Sequence, residues 1–308
     1  VQFGRSVRIY SVNGILIIDK PAGITSHDVV SRVRRSLGTK RVGHTGTLDP
    51  FATGVMVVLV GQATRLAQFL DKDVKEYEAI VNFGTETDTG DRTGRPISSA
   101  SDSGYPRIED VRAALSDLRG EIVQVPPMYS AKKIGGKKLY EYARKGETVE
   151  RRSVRVTIYE LEIESDRARP DPVSHIHLRV VCSAGTYIRT LAEDIGRRAG
   201  VGAHLAELRR TSAGKFTIEQ SSTLEALAEL DDLASALIDM NEAVSHLQTI
   251  TLNEDRITKT RNGLSTRIVG EAFSDGEAVR MTNANGGLIA IGSYVSSESA
   301  VQPRAVLV

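Results

Sequence analysis

Apolar positions along the chain fall into short runs broken by glycine, proline and charge, as expected of strands interleaved with amphipathic helices. GILIIDKPAG (14–23) is an apolar strand stopped by Lys20-Pro21 and a glycine turn. SHDVVSRVRRSLG (26–38) places Val29, Val30, Val33 and Leu37 on one helical face, with Ser26 as its cap and Gly38 at its end. VMVVLVGQATRLAQFL (55–70) is a buried strand leading into a helix that turns Leu66, Phe69 and Leu70 inward. KEYEAIVNFG (75–84) alternates with a strand's period of two, and IEDVRAALSDLRG (108–120) is an amphipathic helix. RVTIYELEIES (155–165) and SHIHLRVVCSAG (174–185) are strands, and a helix follows over about 187–199. ELRRTSAGKFTIEQ (207–220) is a strand or turn pair, and Ser222 with Glu225 forms a capping box for TLEALAEL. Residues 246–308 hold short strand candidates (EAVRMTN, GLIAIGSYV, RAVLV) between Asn/Gly/Ser turns, the pattern of a small β-barrel. The lead VQFGRSVRIYSVN is a flexible arm or a loosely added strand.

With 308 residues and 40% hydrophobic composition, the chain can build a core for one or two domains. A net charge of +1 gives no global field toward nucleic acid, so local charge decides. The single cysteine, Cys182, excludes an internal disulfide framework and a Cys-rich zinc site, and suits a reducing compartment. No apolar run reaches membrane-spanning length and no signal-peptide pattern is present, which places the expectation in the cytoplasm, away from membranes. Residues 216–255 contain no Lys or Arg, a shift that sets a domain boundary near 245: a first domain over 1–245 and a second over 246–308.

Charge is locally strong. Residues 126–155 hold nine Lys/Arg, among them Lys132, Lys133, Lys137 and Lys138, against three Glu, with Tyr129, Tyr140 and Tyr142 between them. Pro126 and Pro127 make this a projecting loop. Lysines for phosphates and aromatics for unpaired bases point to RNA binding.

GHTGTLDPFATGV (43–55) packs three glycines, His44 and one acid, Asp49, into a single turn. An Asp-Pro pair commonly bonds its own backbone, so Asp49 is either a turn residue or a site. His44 is either a turn histidine or a general base, with no Ser or Cys nucleophile beside it in sequence. No Gly-Lys-Ser/Thr follows the glycines, so this is not a phosphate-binding P-loop. His175 and His177 share a strand face but lack other ligands at metal spacing, so no metal is expected. GTYIRTLAEDIG (185–196) opens a helix with Tyr187 and Arg189, either ordinary surface residues or a guanidinium that keeps some carboxylate ionised.

Six blocks occur in order: GILIIDKPAGITSHDVV, RVGHTGTLDPFATGV, KEYEA, VPPMYSAKK, GTYIRTLAEDIG and AELRRTSAG. Together they resemble the bacterial TruB-type tRNA pseudouridine-55 synthases, from about Gly14 to the C-terminus and most closely through residue 215. The resemblance implies an α+β pseudouridine synthase fold, with a mixed, mostly antiparallel sheet, a catalytic cleft and a small C-terminal PUA-like β-barrel that touches tRNA. It implies that Asp49 is the catalytic aspartate and that His44 helps displace the target base. It implies further that Tyr77 stacks on the uracil, Tyr187 and Leu208 line the base pocket, Arg189 pairs with the acid, and Lys20 stands beside the site. The basic stretch 126–155 falls where the family has an RNA-gripping insertion. Met56 stands where a leucine is usual, and the tail matches least well.

The implied reaction turns one uridine of the tRNA T-loop into pseudouridine. It is an isomerisation, so neither cofactor nor metal is expected. A carboxylate can attack C1′, as in glycoside cleavage, or take a proton from C2′ on a glycal route, and the sequence leaves both open. The expected partner is the tRNA T-arm alone, bound by a monomer with no protein partner required. Two competing readings are a tRNA-folding chaperone without chemistry and a guide-RNA-dependent relative in a larger complex; one chain can also combine catalysis with chaperoning.

Overall fold

The computed structural model describes residues 12–70, 74–97, 104–164, 172–268 and 273–307, so most of the lead before Gly14 lies outside the described residues. Strand β1 (Gly14–Lys20) is buried at every position but Asp19. Helix α1 (Ser26–Ser36) follows, its cap one residue earlier than the sequence pattern indicates. Thr25 accepts from the Asp28 backbone while the Asp28 side chain accepts a bond from Thr25 in return. Ser26 is committed elsewhere: its buried hydroxyl donates to the Leu48 carbonyl at 3.0 Å and accepts from the Leu48 N–H at 2.9 Å. The start of α1 is thereby fastened to the turn that carries Asp49.

Strand β2 (Val42–Thr45) pairs with β3 (Thr53–Val60), and β3 pairs antiparallel with β1. After β3 the chain tightens into a 3₁₀ turn over 61–66 before a single α-turn, α2 (Ala67–Leu70). Leu66 and Leu70 are buried as expected, with Phe69 packed half-buried against the same core. Strand β4 (Lys75–Phe83), α3 (Ile108–Asp117) and β5 (Gly120–Gln124) come next. An insertion then carries the two-residue strands β6 (Lys133–Ile134) and β7 (Lys137–Lys138) and the short α4 (Leu139–Ala143). Strands β8 (Val154–Ile163) and β9 (His175–Cys182), helix α5 (Ile188–Arg198) and the long β10 (Ala203–Ala213) complete the frame, with β11 (Phe216–Thr217) folded back on β10.

These strands form a nine-stranded sheet in the order β1-β3-β10-β4-β9-β8-β5, with β2 and β11 attached at its side. Only the β3–β10 pair is parallel, so the sheet is mixed and mostly antiparallel. Along β4, Tyr77, Ala79, Val81 and Phe83 face one core, against Val111 and Leu115 of α3 and Leu191 and Ile195 of α5. The alternate β4 residues face the other side, where Glu76 pairs with Arg179. Gly54 is where β3 meets β10: a Cβ there would stand 2.2 Å from the Arg210 carbonyl, and φ is +103°.

Past β11, Thr223, rather than Ser222, caps α6 (Leu224–Ala228) by accepting from the Ala226 N–H. Ser222 is held in an isolated bridge to Ile18 of β1. After α7 (Met240–Ala243), a second sheet forms in the order β12-β14-β15-β16-β13. Its strands are β12 (Gln248–Thr251), β13 (Thr266–Arg267), β14 (Ala278–Thr282), β15 (Leu288–Val295) and β16 (Ala300–Val306). It curls into a half-barrel around its own core of Ile250, Ile257, Met281, Ile289 and Val301, with helix α8 (Glu254–Arg261) against it. Ile291 and Leu307 instead join the core of Ile15, Val55 and Leu59 in the first sheet.

Candidate active site

The turn between β2 and β3 is held from three sides. Lys20, at the end of β1, is fully buried and donates to the carbonyls of Pro21 at 2.8 Å, Pro50 at 3.3 Å and Ala52 at 2.7 Å. Burial pushes its pKa down to about 8, against the attraction of Asp49. Arg210, on β10, donates from Nε to the Val55 carbonyl at 2.7 Å and from Nη2 to the Gly46 carbonyl at 3.0 Å. The Ser26 hydroxyl fixes Leu48. Gly46 has φ +70°, and a Cβ there would approach Arg210 Nη1 to 3.1 Å, so glycine suits this position on both counts. Asp49 sits at the apex, with its side chain 30% exposed.

Arg189 lies on the first turn of α5, directly after Ile188 and the N-cap Tyr187. Each of its three nitrogens meets an oxygen. Nε meets Asp49 Oδ2 at 2.9 Å and Nη2 meets Oδ1 at 3.3 Å, a two-pronged grip on the carboxylate. Nη2 also donates to the Tyr129 carbonyl at 2.7 Å, and Nη1 donates to the Thr89 carbonyl at 2.9 Å. The remaining neighbour is a second acid, Asp91, whose Oδ2 is 3.6 Å from Nη1. Asp91 is buried in the TETDTGDRTG connection, and its other oxygen takes the Thr89 hydroxyl at 2.9 Å and the Thr93 N–H at 2.9 Å. One guanidinium therefore serves two carboxylates. Burial pushes the Asp49 carboxyl above its ordinary value, Arg189 pulls it down, and Asp91 pushes it up again. The simple expectation that Arg189 depresses this acid is thus outweighed by desolvation.

Asp49 and Arg189 open onto a cleft of about 280 Å³, lined also by Lys75, Tyr77, Lys132, Tyr187, Leu208 and Arg210. That volume is at the small end for a ligand pocket. Burial raises the Tyr77 and Tyr187 phenols, so both are neutral donors at ordinary pH. Tyr187 is fixed through its backbone: the buried Gln124 side chain accepts from its N–H at 2.9 Å and donates to its carbonyl at 3.2 Å.

The structure brings Asp49, Tyr77, Tyr187, Arg189 and Leu208 together on one cleft, with Lys20 packed behind the turn. His44 stands apart from the lining, half-buried on β2 opposite Val58. Lys132 reaches the cleft, while Lys133, Lys137 and Lys138 lie on the β6–β7 hairpin. Tyr140 is flanked by Lys138 at 5.4 Å and Arg144 at 5.2 Å from its ring centre, and the Tyr142 hydroxyl donates to the Ile134 carbonyl. These two tyrosines hold the insertion together, so its exposed chemistry is chiefly charge. His175 and His177 touch edge to face, and among the described residues no group of three or more His, Cys, Asp or Glu is placed to hold a metal ion. The sequence pattern gives no role to Asp91, Gln124, Lys75 or Arg210. Asp91 and Arg210 stand in stretches rich in turn or site chemistry, but their partners are far away in sequence.

A family model described as the TruB family pseudouridylate synthase N-terminal domain matches residues 34–188, and a tRNA pseudouridylate synthase B C-terminal domain model matches 189–245. The chain belongs to the TruB pseudouridylate synthase family. A tRNA pseudouridine synthase B of Geobacillus kaustophilus is 46% identical over 263 residues, covering 83% of this chain and 92% of that one. One from Heliobacterium modesticaldum is 41% identical over 298 residues, covering 96% and 95%. Among solved structures, a Cbf5-Nop10-Gar1 complex superposes with a TM-score of 0.74 at 27% identity, covering 99% of this chain and 88% of that one. An H/ACA RNP bound to a substrate RNA gives 0.73 at 26%, with the same coverage. The TruB fold is therefore seen here with a cleft between α5 and the β2–β3 turn.

Proposed function

We propose that this TruB-family chain isomerises the uridine at position 55 in the tRNA T-loop to pseudouridine, with Asp49 as the catalytic group. The observation that carries this reading is the Asp49–Arg189 pair, set at 2.9 Å in a cleft walled by Tyr77, Tyr187 and Leu208. Binding alone does not need a half-desolvated acid gripped by a buried arginine. The reaction does: cleavage of the N1–C1′ bond requires a carboxylate to attack C1′ or to take the C2′ proton, and the ionised form serves either route. The base leaves its stack at a cost of a few kcal/mol, and stacking on Tyr77 returns roughly 1–3 kcal/mol. His44, on the strand leading into the turn, would enter where the base had been.

Residues 1–245 act as the catalytic domain, and 246–308 as a PUA-like RNA-binding domain. The basic hairpin with Lys133, Lys137 and Lys138 grips phosphates, and Lys132 does so at the mouth of the cleft. The enzyme works in the cytoplasm as a monomer on tRNA, without a protein partner, and also assists tRNA folding. No helix among the described residues is long and apolar enough to cross a membrane.

The test uses a T-arm stem-loop tritiated at C5 of the target uridine. The native chain releases tritium to water. Asp49→Asn binds the same RNA and releases none, and normal turnover by that variant would remove Asp49 from the mechanism. Binding without release by the native chain would instead favour a chaperone that does no chemistry.

A further inference from the structure

Arg210 is the largest of the fully buried side chains, yet among the described residues no carboxylate pairs with it. Asp49, the one acid lining the same cleft, is held by Arg189, while Lys75 flanks the same Gly46 and Lys20 repels Arg210. A buried cation held only by neutral acceptors costs several kcal/mol, so the fold keeps it against its own stability. Two of its contacts are the Val55 and Gly46 carbonyls at either side of the Asp49 turn. A neutral donor could make those. A third relation explains the charge. Arg210 is the register partner of Tyr77 across β10 and β4 and both line the cleft, so the guanidinium favours the ionised phenol against the effect of burial.

We propose that Arg210 is a positioning residue for the last proton transfer, holding the Tyr77 oxygen on the cleft floor and stabilising the negative charge that develops on it. This rests on the pseudouridine reading of the cleft. Once C5 is joined to C1′, the ring carries hydrogen on C5 and a double bond between N1 and C6. The C5–H bond breaks and its electron pair forms the C5=C6 double bond. The N1=C6 pair moves to N1, which takes a proton from water. The C5 proton passes to the Tyr77 oxygen as the tyrosine's own hydroxyl proton leaves to water. Protons balance, no oxidant or reductant enters, and the transient charge sits on an oxygen beside a guanidinium.

The experiment compares single-turnover rates on T-arm RNA carrying hydrogen or deuterium at C5 of the target uridine. An isotope effect is a ratio measured on one enzyme sample, so loss of folded protein does not distort it. Arg210→Gln is expected to slow turnover on the order of 10²-fold, the scale of a weakened acid–base group. Its C5 isotope effect should exceed that of the native chain, because proton loss becomes limiting. Arg210→Lys, which keeps a cation, should recover much of the rate and lower the isotope effect again. In a Tyr77→Phe background, Arg210→Gln should add little to either. A slowed Arg210→Gln with an unchanged isotope effect, or losses that multiply in the double variant, would overturn the proposal and leave Arg210 as a loop brace. Absence of any C5 hydrogen loss by the native chain would sink the underlying reading instead.

Discussion

At the scale of single residues, the site is a contest over protonation. Asp49 must be ionised to act, and burial opposes that more strongly than Arg189 favours it. The acid limb of the pH–rate profile should therefore lie above the ordinary carboxylate range, with activity rising as pH passes upward through the Asp49 pKa. Replacing Arg189 by Gln removes the main influence holding that pKa down, so the limb moves to still higher pH while the maximal rate falls by roughly 10²-fold or more. The alkaline side is set by a different group. Lys20 loses its proton at about 8, and the neutral amine has two hydrogens for the three carbonyls it now serves. Turnover should decline above that pH, and Lys20→Met should be slow throughout and lack this limb. C5-tritium release across about pH 5–10 reads both limbs, which bracket the span between carboxylate and lysine titration; an acid limb left in place in Arg189→Gln would show that the pair does not tune Asp49.

At the scale of elements, the pattern of apolar positions was enough for most strands and helices, because each buries one face against a continuous core. It failed where distant parts of the chain claimed a residue. Ser26 and Ser222 both resemble helix caps, but the Ser26 hydroxyl is bonded to Leu48 and the Ser222 backbone bridges to β1, and Thr25 and Thr223 cap instead. Asp91 reads as one acid among several until α5 brings Arg189 to it across 98 residues of chain. The insertion shows the opposite case, a local pattern whose meaning the fold narrows. With Tyr140 flanked by Lys138 and Arg144, Lys133 and Lys137 are the exposed phosphate-seeking groups of the hairpin, with Lys138 half-buried beside the ring. Deleting 130–150 would be a poor test of them, since Lys132 lines the cleft and the neighbouring Tyr129 carbonyl supports Arg189. Replacing the three lysines with alanine keeps those contacts. It should weaken RNA binding and flatten the slope of log K against log salt by up to about 2–3, at roughly 0.7–0.9 for each phosphate no longer neutralised. An unchanged slope in a salt titration would mean that the hairpin does not grip phosphates.

At the scale of the whole molecule, the second sheet has two roles that a truncation would confuse. Ile291 and Leu307 are buried in the core that contains Ile15, Val55 and Leu59 of the first sheet. Arg65, just beyond β3, donates to the Val306 carbonyl, and Arg280 of β14 reaches Leu247 and Asn241 near the junction. The strand that carries the Asp49 turn thus rests partly on the tail. Sequence alone could not show this, because the tail's residues matched least well and its apolar pattern accounts equally for a freely hinged barrel. Removing residues 246–308 should therefore destabilise the first sheet as well as remove any RNA contact, and loss of activity in that truncation would say little about RNA. Two separate substitutions resolve the roles. Leu307→Ala should cost about 2–4 kcal/mol in urea unfolding with little change in tRNA affinity at temperatures where the chain stays folded. Replacing the exposed Arg261, Arg267 and Arg304 with alanine should leave the unfolding midpoint nearly in place and weaken binding of full tRNA, with a shallower salt dependence. If the arginine variant bound tRNA as the native chain does, the half-barrel would act as a buttress for the catalytic sheet, and the RNA grip would belong to the insertion and the cleft.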